Sequence, residues 1–458
     1  MTQFDTVIIG GGISGLSLLH YLRTGRSDKS VVLIEAENRL GGTIGTDIIN
    51  GFSFDWGPNG FLDREPLTLE LCNQLGLNDQ LEKANSNISN RFILRKGKLR
   101  QVPMSPPKFI TSDILSLLGK LRVMMEPFIR SIGDENESIY RFAQRRIGTA
   151  AADYLIQPMV SGIYGGIAER LSLESCFPTM REMETEYGSL FKAMTAKGKK
   201  AKAEKKKPGG PGGPTGWLTS FDGGLYKIIE QMSRLYSDFI QLCNPVINIS
   251  RDKDNYLVNF KNSEMCTTKN VVLATPSFVS GSLVAGLSPD LSNSFHKIEY
   301  APIAVVCLGF NEKSIKRNLD GFGFLVPAKE NRKILGSIWT SSIFKNRAPD
   351  RYVQLRTMIG GDGNHNIKNQ SNEEILSEVI SDLNDIIGIS EEPVITRIYR
   401  WNKAIPQFKI GHANIIKNIE SELNKIGNLY ITGNAYYGIG LNDCIKQSHK
   451  VAQILLNS

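Results

Sequence analysis

The chain has 458 residues, of which 41% are hydrophobic and 22% are charged. This is the composition of an ordinary globular protein of about three domains, and it excludes a disordered or collagen-like chain. The formal net charge of +8 comes mostly from residues 197–207, which hold seven Lys and one Glu. The rest of the chain is nearly neutral, which excludes the extended basic face of a nucleic-acid-binding protein.

The N-terminal segment has the pattern of a strand, a turn, a helix and a second strand. Apolar residues at 6–9 precede Gly10-Gly-Gly-Ile-Ser-Gly15, and apolar residues at helical spacing follow from 16 to 22. A second apolar run, 31–34, ends at Glu35. This unit predicts the start of a doubly wound sheet.

The glycine spacing in this unit predicts a dinucleotide site. Gly10 allows a tight turn, Gly12 lets the backbone approach a pyrophosphate at the helix N-terminus, and Gly15 lets helix and strand pack closely. Glu35 can accept hydrogen bonds from ribose hydroxyls. A glycine turn without a ligand is the alternative.

Downstream, the pattern predicts helices first and then a second group of strands. Apolar spacing predicts a helix over 109–129 and further helices at 138–147 and 150–159, and residues 197–214 are expected to form a flexible loop of Lys, Gly and Pro. The remaining predicted elements are helices at 226–236, 373–387 and from about 443, and strands at 256–260, 271–273, 303–310, 334–339, 352–358 and 429–432. The charge-free stretch 270–289 is interpreted as a strand, a turn and a short helix, not as a membrane span, because it contains Pro276, Gly281, Gly286 and Pro289.

Two further glycine clusters favour FAD over NAD. Arg39-Leu-Gly41-Gly42-Thr43 and Gly57-Pro58-Asn59 offer additional backbone amides and a positive charge to a long dinucleotide. Near the C-terminus, Gly433-Asn434 and the glycines before Leu441 precede a helix whose N-terminus can face the electron-rich part of a flavin. The alternative for the clusters at 39–43 and 57–59 is that they are two ordinary surface turns that bind no ligand.

These motifs together resemble the FAD-dependent amine oxidase superfamily, and within it the protoporphyrinogen oxidases and their coproporphyrinogen-oxidising relatives of haem biosynthesis. The resemblance extends over the whole chain. Its more discriminating segments are 90–92, 157–166, 321–325, 341–349, 401–408 and 411–412.

The resemblance implies roles for individual residues. FAD, bound non-covalently, would contact Gly10, Gly11, Gly12, Ile13, Ser14, Gly15, Glu35, Ala36, Arg39, Gly41, Gly42, Thr43, Gly57, Pro58, Asn59, Gly60, Val246, Trp401, Ile439, Gly440 and Leu441. Arg91 would anchor a propionate of the porphyrinogen, and Leu325 and Phe344 would enclose the macrocycle. From sequence alone, Arg91 could equally be a surface residue, and the other two could be plain core residues.

The implied reaction is oxidation of protoporphyrinogen IX or coproporphyrinogen III in three two-electron steps, with dioxygen as acceptor. No dedicated catalytic residue is expected, since the flavin carries the chemistry. The scattered histidines and the cysteines, which lie far apart, predict no metal site. A flavin amine or amino-acid oxidase is the alternative, and a flavin-binding partner without catalysis is a third.

The expected fold class is α/β, with a Rossmann-like FAD-binding domain, a mixed-sheet substrate domain and a helical insertion. We assign 1–88, 216–298 and 396–458 to the FAD domain, 89–105 and 299–395 to the substrate domain, and 106–215 to the insertion. Without a basic leader segment and with sparse cysteines, the expected location is cytoplasmic. The helix over 109–129 could pack on the substrate domain or lie peripherally on the cytoplasmic face of a membrane. Other expected partners are dioxygen and the next enzyme of the haem pathway.

Overall fold

The computed structural model describes residues 2–25, 29–129, 133–203 and 216–457. The strands are β1 (Thr2–Ile9), β2 (Val31–Ile34), β3 (Thr46–Ile49), β4 (Phe52–Asp55), β5 (Phe61–Leu62), β6 (Leu81–Lys83), β7 (Asn90–Arg95), β8 (Lys98–Gln101), β9 (Leu218–Phe221), β10 (Ile240–Gln241), β11 (Val246–Asp252), β12 (Asn255–Phe260), β13 (Met265–Leu273), β14 (Tyr300–Asn311), β15 (Gly321–Leu325), β16 (Ile334–Trp339), β17 (Tyr352–Gly360), β18 (Ile395–Pro406) and β19 (Leu429–Ile431). The α-helices are α1 (Ile13–Gly25), α2 (Pro66–Gln74), α3 (Pro106–Thr111), α4 (Leu117–Met124), α5 (Ile139–Ile147), α6 (Thr149–Ala151), α7 (Gln157–Tyr164), α8 (Leu173–Cys176), α9 (Pro178–Tyr187), α10 (Leu190–Ala203), α11 (Lys227–Leu235), α12 (Ser277–Leu283), α13 (Pro289–His296), α14 (Thr340–Ile343), α15 (Asn372–Ile387), α16 (His412–Ile426) and α17 (Leu441–Asn457). A π-helical segment, Ala152–Ile156, joins α6 to α7, and 3-10 turns lie at Asn78–Gln80, Glu126–Phe128, Ser237–Phe239, Glu312–Ser314, Ala328–Glu330 and His365–Lys368.

The first sheet has the strand order β10-β2-β1-β13-β12-β11, with β19 beside the C-terminal part of β13. Strands β10, β2, β1, β13 and β19 run parallel. Ile8 points into a core shared with α1, α11 and α17, whereas Val7 and Ile9 point into a core shared with α13 and α16. Because side chains alternate along a strand and both faces are covered here, the last three residues of β1, Val7–Ile9, are all apolar and buried.

The second sheet has the order β18-β14-β17-β16-β15-β7-β8. Strand β14, next to the edge strand β18, is antiparallel to both β17 and β18. Ala304 and Val306 face a core with α15, whereas Ile303 and Val305 face the opposite side, toward β4. This second face of the sheet therefore lies toward the first sheet.

The helix predicted over 109–129 is interrupted in the structure. Two short helices, α3 and α4, are separated at residues 112–116, and a 3-10 turn follows α4. Ser116 ends the break, because its hydroxyl accepts a hydrogen bond from the backbone N–H of Gly119 at 3.3 Å and caps α4. Serine side chains compete with the helical hydrogen bonds of the backbone and so favour the break. Apolar spacing does not reflect this competition, and for that reason it predicted one continuous helix.

The prediction of a loop over the Lys-rich run is wrong for residues 197–203. These residues continue helix α10, because Lys and Ala are good helix formers whenever the charged ends can reach solvent. Residues 204–214, with the Gly/Pro segment of the same prediction, lie outside the described residues.

The fold class predicted from the sequence is confirmed, since a doubly wound parallel sheet, a mixed sheet and a helical region are all present. The domain boundaries stay a prediction, and one strand crosses them: β18, within the segment assigned to the FAD domain, pairs with β14 of the second sheet. Within the described ranges, no helix combines the length and the apolar character needed to span a membrane.

Candidate functional site

A cavity of about 740 Å³ lies between the two sheets. Parallel strands β1, β2, β13 and β19 all end at its edge, and the residues that follow them (Gly12, Glu35, Ala274 and Gly433) line it. Ligands of open α/β sheets bind at the carboxyl ends of the strands, so this is where the fold places a dinucleotide site. The volume lies within the usual range of small-molecule and cofactor sites.

Most of the residues predicted to bind the cofactor line this cavity. They are Gly12, Ile13, Ser14, Glu35, Arg39, Gly41, Gly42, Thr43, Gly57, Pro58, Asn59, Gly60, Trp401, Ile439, Gly440 and Leu441. Gly10, Gly11, Gly15, Ala36 and Val246 do not line it. Val246 lies two residues beyond Asn244, whose backbone N–H bonds to the Glu35 carbonyl at 3.0 Å, so its segment adjoins the cavity edge.

The first glycine loop is fixed by close backbone packing. Gly10 has φ +110°, and a Cβ there would lie 2.8 Å from the carbonyl oxygen of Ala274. A Cβ on Gly15 would lie only 2.0 Å from the carbonyl oxygen of Gly10. At Gly12, by contrast, a Cβ would meet no atom within 4 Å. The outer glycines therefore shape the turn, and Gly12 keeps the cavity open.

Glu35 is held in place by the backbone on both sides. Its Oε2 accepts a hydrogen bond from the N–H of Gly11 at 2.7 Å, and its Oε1 accepts one from the N–H of Glu37 at 2.9 Å. Each carboxylate oxygen keeps a further lone pair for a ligand hydroxyl. The second glycine cluster packs directly on the first loop, since the N–H of Gly41 bonds to the carbonyl of Gly11 at 2.8 Å.

Arg39 braces one wall of the cavity. Its guanidinium donates to the carbonyl oxygens of Leu40, Gly42 and Ile44. It lies 4.4 Å above the ring of Trp56, which stacks in turn on Tyr399 with 5.3 Å between ring centroids. The sequence predicted that the positive charge of Arg39 would contact the ligand. In the structure, its guanidinium also stabilises the loop at 40–44 through these hydrogen bonds.

The C-terminal turn is closed by an acid that the sequence analysis did not single out. Asp443, in the first turn of α17, accepts a hydrogen bond from the N–H of Gly440 at 3.1 Å. A Cβ on Gly438 would lie 2.5 Å from its carboxyl carbon, so glycine is needed there. Burial raises the pKa of Asp443. An acid at the third helical position that accepts from the N–H of the N-cap residue is half of a capping box, a signal that could have identified Asp443.

The other half of the cavity is lined by the second sheet and by α7. Its walls include Gly162, Ile163, Ile303, Val305, Ile338, Met358, Trp401 and Ile405. Ile338 and Met358 line the cavity although no sequence motif marks them. They lie on β16 and β17, and the antiparallel pairing of Val305 with Met358 brings two lining residues together from strands about 50 positions apart.

The three residues predicted to bind substrate are placed differently from one another. Leu325 packs against cavity-lining Gly162, where an added Cβ would lie 2.7 Å from its Cδ2. Phe344 is 1% exposed in a core cluster, and the structure does not bring it to the cavity wall. Arg91 lies 5.2 Å from the ring of Phe322, which packs against that cluster together with cavity-lining Ile338. Phe344 therefore packs behind the cavity-lining residue Ile338, and Arg91 lies next to the same cluster, over Phe322.

His412 holds the residues that follow Gly433. It is 3% exposed, stacks on Phe408 with 4.1 Å between ring centroids, and its Nε2 donates to the carbonyl of Tyr436 at 3.2 Å. Burial lowers its pKa to about 4, because the imidazolium would be buried with Nδ1 lacking a partner among the described residues.

We expect the His412→Phe protein to lose less stability on acidification than the wild type. Because the folded-state pKa lies below the ordinary 6.5, the contribution of His412 is complete above pH 6.5 and is lost as the pH falls toward 4. The full loss amounts to about 3 kcal/mol. Denaturant midpoints between pH 7 and pH 4 measure it. The His365→Gln protein, altered at a half-exposed side chain, serves as the control, and equal slopes in all three proteins would contradict the prediction.

Comparison with known proteins agrees with this geometry. The model of the flavin-containing amine oxidoreductases matches residues 13–456. The chain belongs to this family. It is 32% identical to "Protoporphyrinogen oxidase 1, chloroplastic" of Arabidopsis thaliana, over 98% of this chain and 87% of that protein. It is 28% identical to "Coproporphyrinogen III oxidase" of Bacillus subtilis (strain 168), over 96% and 95%.

Solved structures share the fold. A crystal structure of a protoporphyrinogen oxidase candidate from Exiguobacterium sp. 255-15 superposes with a TM-score of 0.83 at 26% identity, covering 100% of this chain and 99% of that one. Reduced UDP-galactopyranose mutase superposes with a TM-score of 0.76 at 16% identity, over 100% and 94%; at that identity it shows the fold alone. The chain is thus an FAD-dependent oxidoreductase, and the predictions of enzyme class and of FAD are confirmed.

The cavity residues fit FAD. Gly12 leaves room at the N-terminus of α1 that a Cβ would fill, as a closely approaching pyrophosphate requires. Asn59 Nδ2 and Trp401 Nε1 are buried donors without partners among the described residues, and both side chains line the cavity. A buried donor without a partner is costly, so a ligand with acceptor atoms at these positions would satisfy them.

Proposed function

We propose that this flavoenzyme oxidises a porphyrinogen, either protoporphyrinogen IX or coproporphyrinogen III, to the porphyrin in haem biosynthesis. The observation that carries the proposal is the likeness, over nearly the whole chain, to curated relatives that bear both names. The apolar half of the cavity supports it, because a large ring with carboxylate arms needs apolar walls and cations near the rim.

The lining residues support chemistry by the flavin alone. Bound FAD would accept two electrons as a hydride in each of three rounds and pass them to dioxygen. The acids that line the cavity, Glu35 and Glu37, lie at the end of β2, in the cofactor half. The residues of the substrate half would orient the ring and exclude water, while protons from the pyrrole nitrogens leave to solvent.

Anaerobic mixing tests the proposed function. Purified holoenzyme is mixed with protoporphyrinogen IX, with coproporphyrinogen III or with a set of amines, and the loss of flavin absorbance is followed. We expect rapid bleaching by at least one porphyrinogen and none by amines, and readmission of dioxygen should restore the colour with formation of hydrogen peroxide. Bleaching by an amine instead would assign the protein to the amine oxidases, and bleaching by neither would leave a flavin-binding partner.

Arg91→Ala should raise KM for the porphyrinogen and leave the FAD content unchanged. Burial lowers the pKa of this guanidinium, and none of the ion pairs found among the described residues involves it. Arg91 does not itself line the cavity, so its pairing with a substrate carboxylate rests on the resemblance to the family. Loss of one charge-assisted bond corresponds to about 1.5–3 kcal/mol, or roughly a 10–100-fold increase in KM. Steady-state kinetics measure it, with Lys98→Ala, an exposed cation on β8, as control. Unchanged kinetics would remove Arg91 from the site.

We further propose that the helical region touches a membrane peripherally on its cytoplasmic side. Leu117, Leu118 and Phe128 are 73%, 78% and 72% exposed on one short stretch. Lys108 precedes them and Lys120 lies between Leu118 and Phe128. Apolar residues beside basic ones are typical of interfacial helices. Docking there would let an apolar product pass to the next enzyme of the pathway without crossing water.

The Leu117→Ser/Leu118→Ser protein should bind vesicles at least tenfold more weakly than the wild type. Each leucine that enters the lipid contributes on the order of 1–2 kcal/mol. Flotation with vesicles containing phosphatidylglycerol measures the binding. The control is Ile48→Ser, a 66% exposed apolar residue elsewhere on the surface. If both variants bind as the wild type does, this stretch is not the membrane contact.

A further inference from the structure

Arg356 is a buried cation in the wall of the cavity. It lies on β17, two residues before Met358, and both side chains line the cavity from the same face of the strand. The residue is 5% exposed. Its Nε donates to the backbone carbonyl of Asp55 at 3.4 Å and its Nη2 to that of Gly57. It therefore contacts the segment that enters the predicted cofactor loop, and both hydrogen-bond acceptors are neutral.

No carboxylate within the described ranges lies within 4 Å of this guanidinium. Asp55, the acid that acts on it electrostatically, is bound by Arg347 at 3.1 Å and also accepts hydrogen bonds from Thr46 Oγ1 and from the backbone N–H of Leu225. Asp47, which lies nearby, accepts the hydroxyl hydrogen of Tyr399. Arg356 therefore lines the cavity without a carboxylate of the described residues in direct contact with its guanidinium.

A buried charge without a counter-ion destabilises a fold strongly, and burial lowers the pKa of Arg356 accordingly. The position would be far better filled by an apolar residue if the cavity stayed neutral. Negative charge that a ligand brings into the cavity would offset this cost.

We propose that Arg356 is the counter-cation for negative charge that enters the cavity during turnover. Two sources share this chemistry. A hydride carries two electrons and one proton, so a flavin that accepts it gains one negative charge while the substrate loses an electron pair and later a pyrrole proton. The other source is a carboxylate arm of the substrate, and only this source rests on the proposed function.

The test compares Arg356→Gln, which keeps an amide donor for the Gly57 carbonyl, with Arg356→Lys, which keeps the charge. The reduction potential of bound FAD is measured by dye equilibration without substrate. If the flavin is the source, Arg356→Gln disfavours the reduced form at least tenfold, or about 30 mV for a two-electron couple, and Arg356→Lys recovers most of the shift. Lys98→Gln, an exposed cation far from the cavity, should shift nothing.

The second measurement is binding of protoporphyrin and of its dimethyl ester, whose arms are uncharged, to the oxidised holoenzyme. If a substrate carboxylate is the source, Arg356→Gln weakens binding of the acid at least tenfold and leaves binding of the ester unchanged. The proposal is overturned when Arg356→Gln binds FAD fully and keeps both the wild-type potential and both porphyrin affinities.

One measurement needs no variant, in case Arg356→Gln does not fold. The potential of wild-type bound FAD should change by about 30 mV per pH unit near neutrality, since one proton accompanies two electrons when the reduced flavin is held as an anion. A slope of about 59 mV per pH unit, together with equal affinity for the acid and the ester, overturns the proposal. Failure of the proposed function is recognised separately, because porphyrins would then not bind while the potential measurements would still respond to residue 356.

Discussion

Replacing Gly12 by alanine should give a folded protein that has lost most of its affinity for FAD. A Cβ at this position meets no protein atom within 4 Å, so the substitution disturbs no packing. It instead occupies the opening at the N-terminus of α1, where close approach of a pyrophosphate to backbone N–H groups is expected. Loss of one or two charge-assisted hydrogen bonds lowers the affinity on the order of a hundredfold, or about 2.7 kcal/mol.

The measurement is FAD titration of the apoprotein, followed by flavin fluorescence, with circular dichroism to show that the fold is retained. Gly286→Ala is the matched control, because an added Cβ there also meets nothing within 4 Å but the residue lies away from the cavity. The Gly15→Ala protein, by contrast, should fail to fold, because its Cβ would overlap with the carbonyl oxygen of Gly10. Full FAD affinity in the Gly12→Ala protein would show that the cofactor lies elsewhere.

The cofactor half of the site could be predicted because local backbone geometry dictates its residues. Gly10, Gly12, Gly15 and Glu35 belong to a single strand–turn–helix–strand unit. Gly10, Gly15 and Glu35 are each fixed by a contact within that unit or beside it, and Gly12 leaves the space next to them open. Apolar runs in doubly covered strands are equally local, and strand β16 has the predicted bounds, Ile334–Trp339. Such features can be recognised without knowing which distant segments pack together.

The substrate half could not be predicted in the same way. Whether Ile338, Met358 or Phe344 faces the cavity depends on the register among β14, β16 and β17, which is set by pairing between residues far apart in the chain. Phe344 follows the single turn of α14, which directs it into a core cluster with Ala84 and Ile343. An apolar residue near a motif has no signal that separates a cavity wall from the core behind it.

For the same reason, the burial of Arg347 and Arg356 could not be predicted from the sequence. Arg356 and Arg347 appear in the sequence as two arginines among many, and an arginine is exposed unless tertiary contacts bury it. Only the packing of β4 against the second sheet shows that Arg347 is 0% and Asp55 1% exposed in side-chain area, with 3.1 Å between Nη1 and Oδ2. These residues join the cofactor segment to the second sheet.

Asp55→Ala should therefore lower the free energy of unfolding by about 3–5 kcal/mol, because it leaves Arg347 buried without a counter-ion. Asp55 also accepts hydrogen bonds from Thr46 Oγ1 at 2.6 Å and from the N–H of Leu225 at 3.0 Å, so three segments lose a shared acceptor. Since Trp56 and Gly57 follow directly and line the cavity, FAD affinity should fall as well. Denaturant unfolding of apoprotein and holoenzyme measures both effects.

The double variant Asp55→Leu/Arg347→Met distinguishes a stranded charge from simple loss of packing. Removing both charges with side chains of similar size should recover much of the lost stability, because a buried ion pair contributes little net stability over apolar groups of similar volume. The control is Lys425→Ala, which breaks a surface pair with Glu422 and should leave the free energy of unfolding almost unchanged, because exposed ion pairs are screened by solvent. If the double variant is no more stable than Asp55→Ala, the loss comes from the hydrogen bonds of Thr46 and Leu225 and not from Arg347.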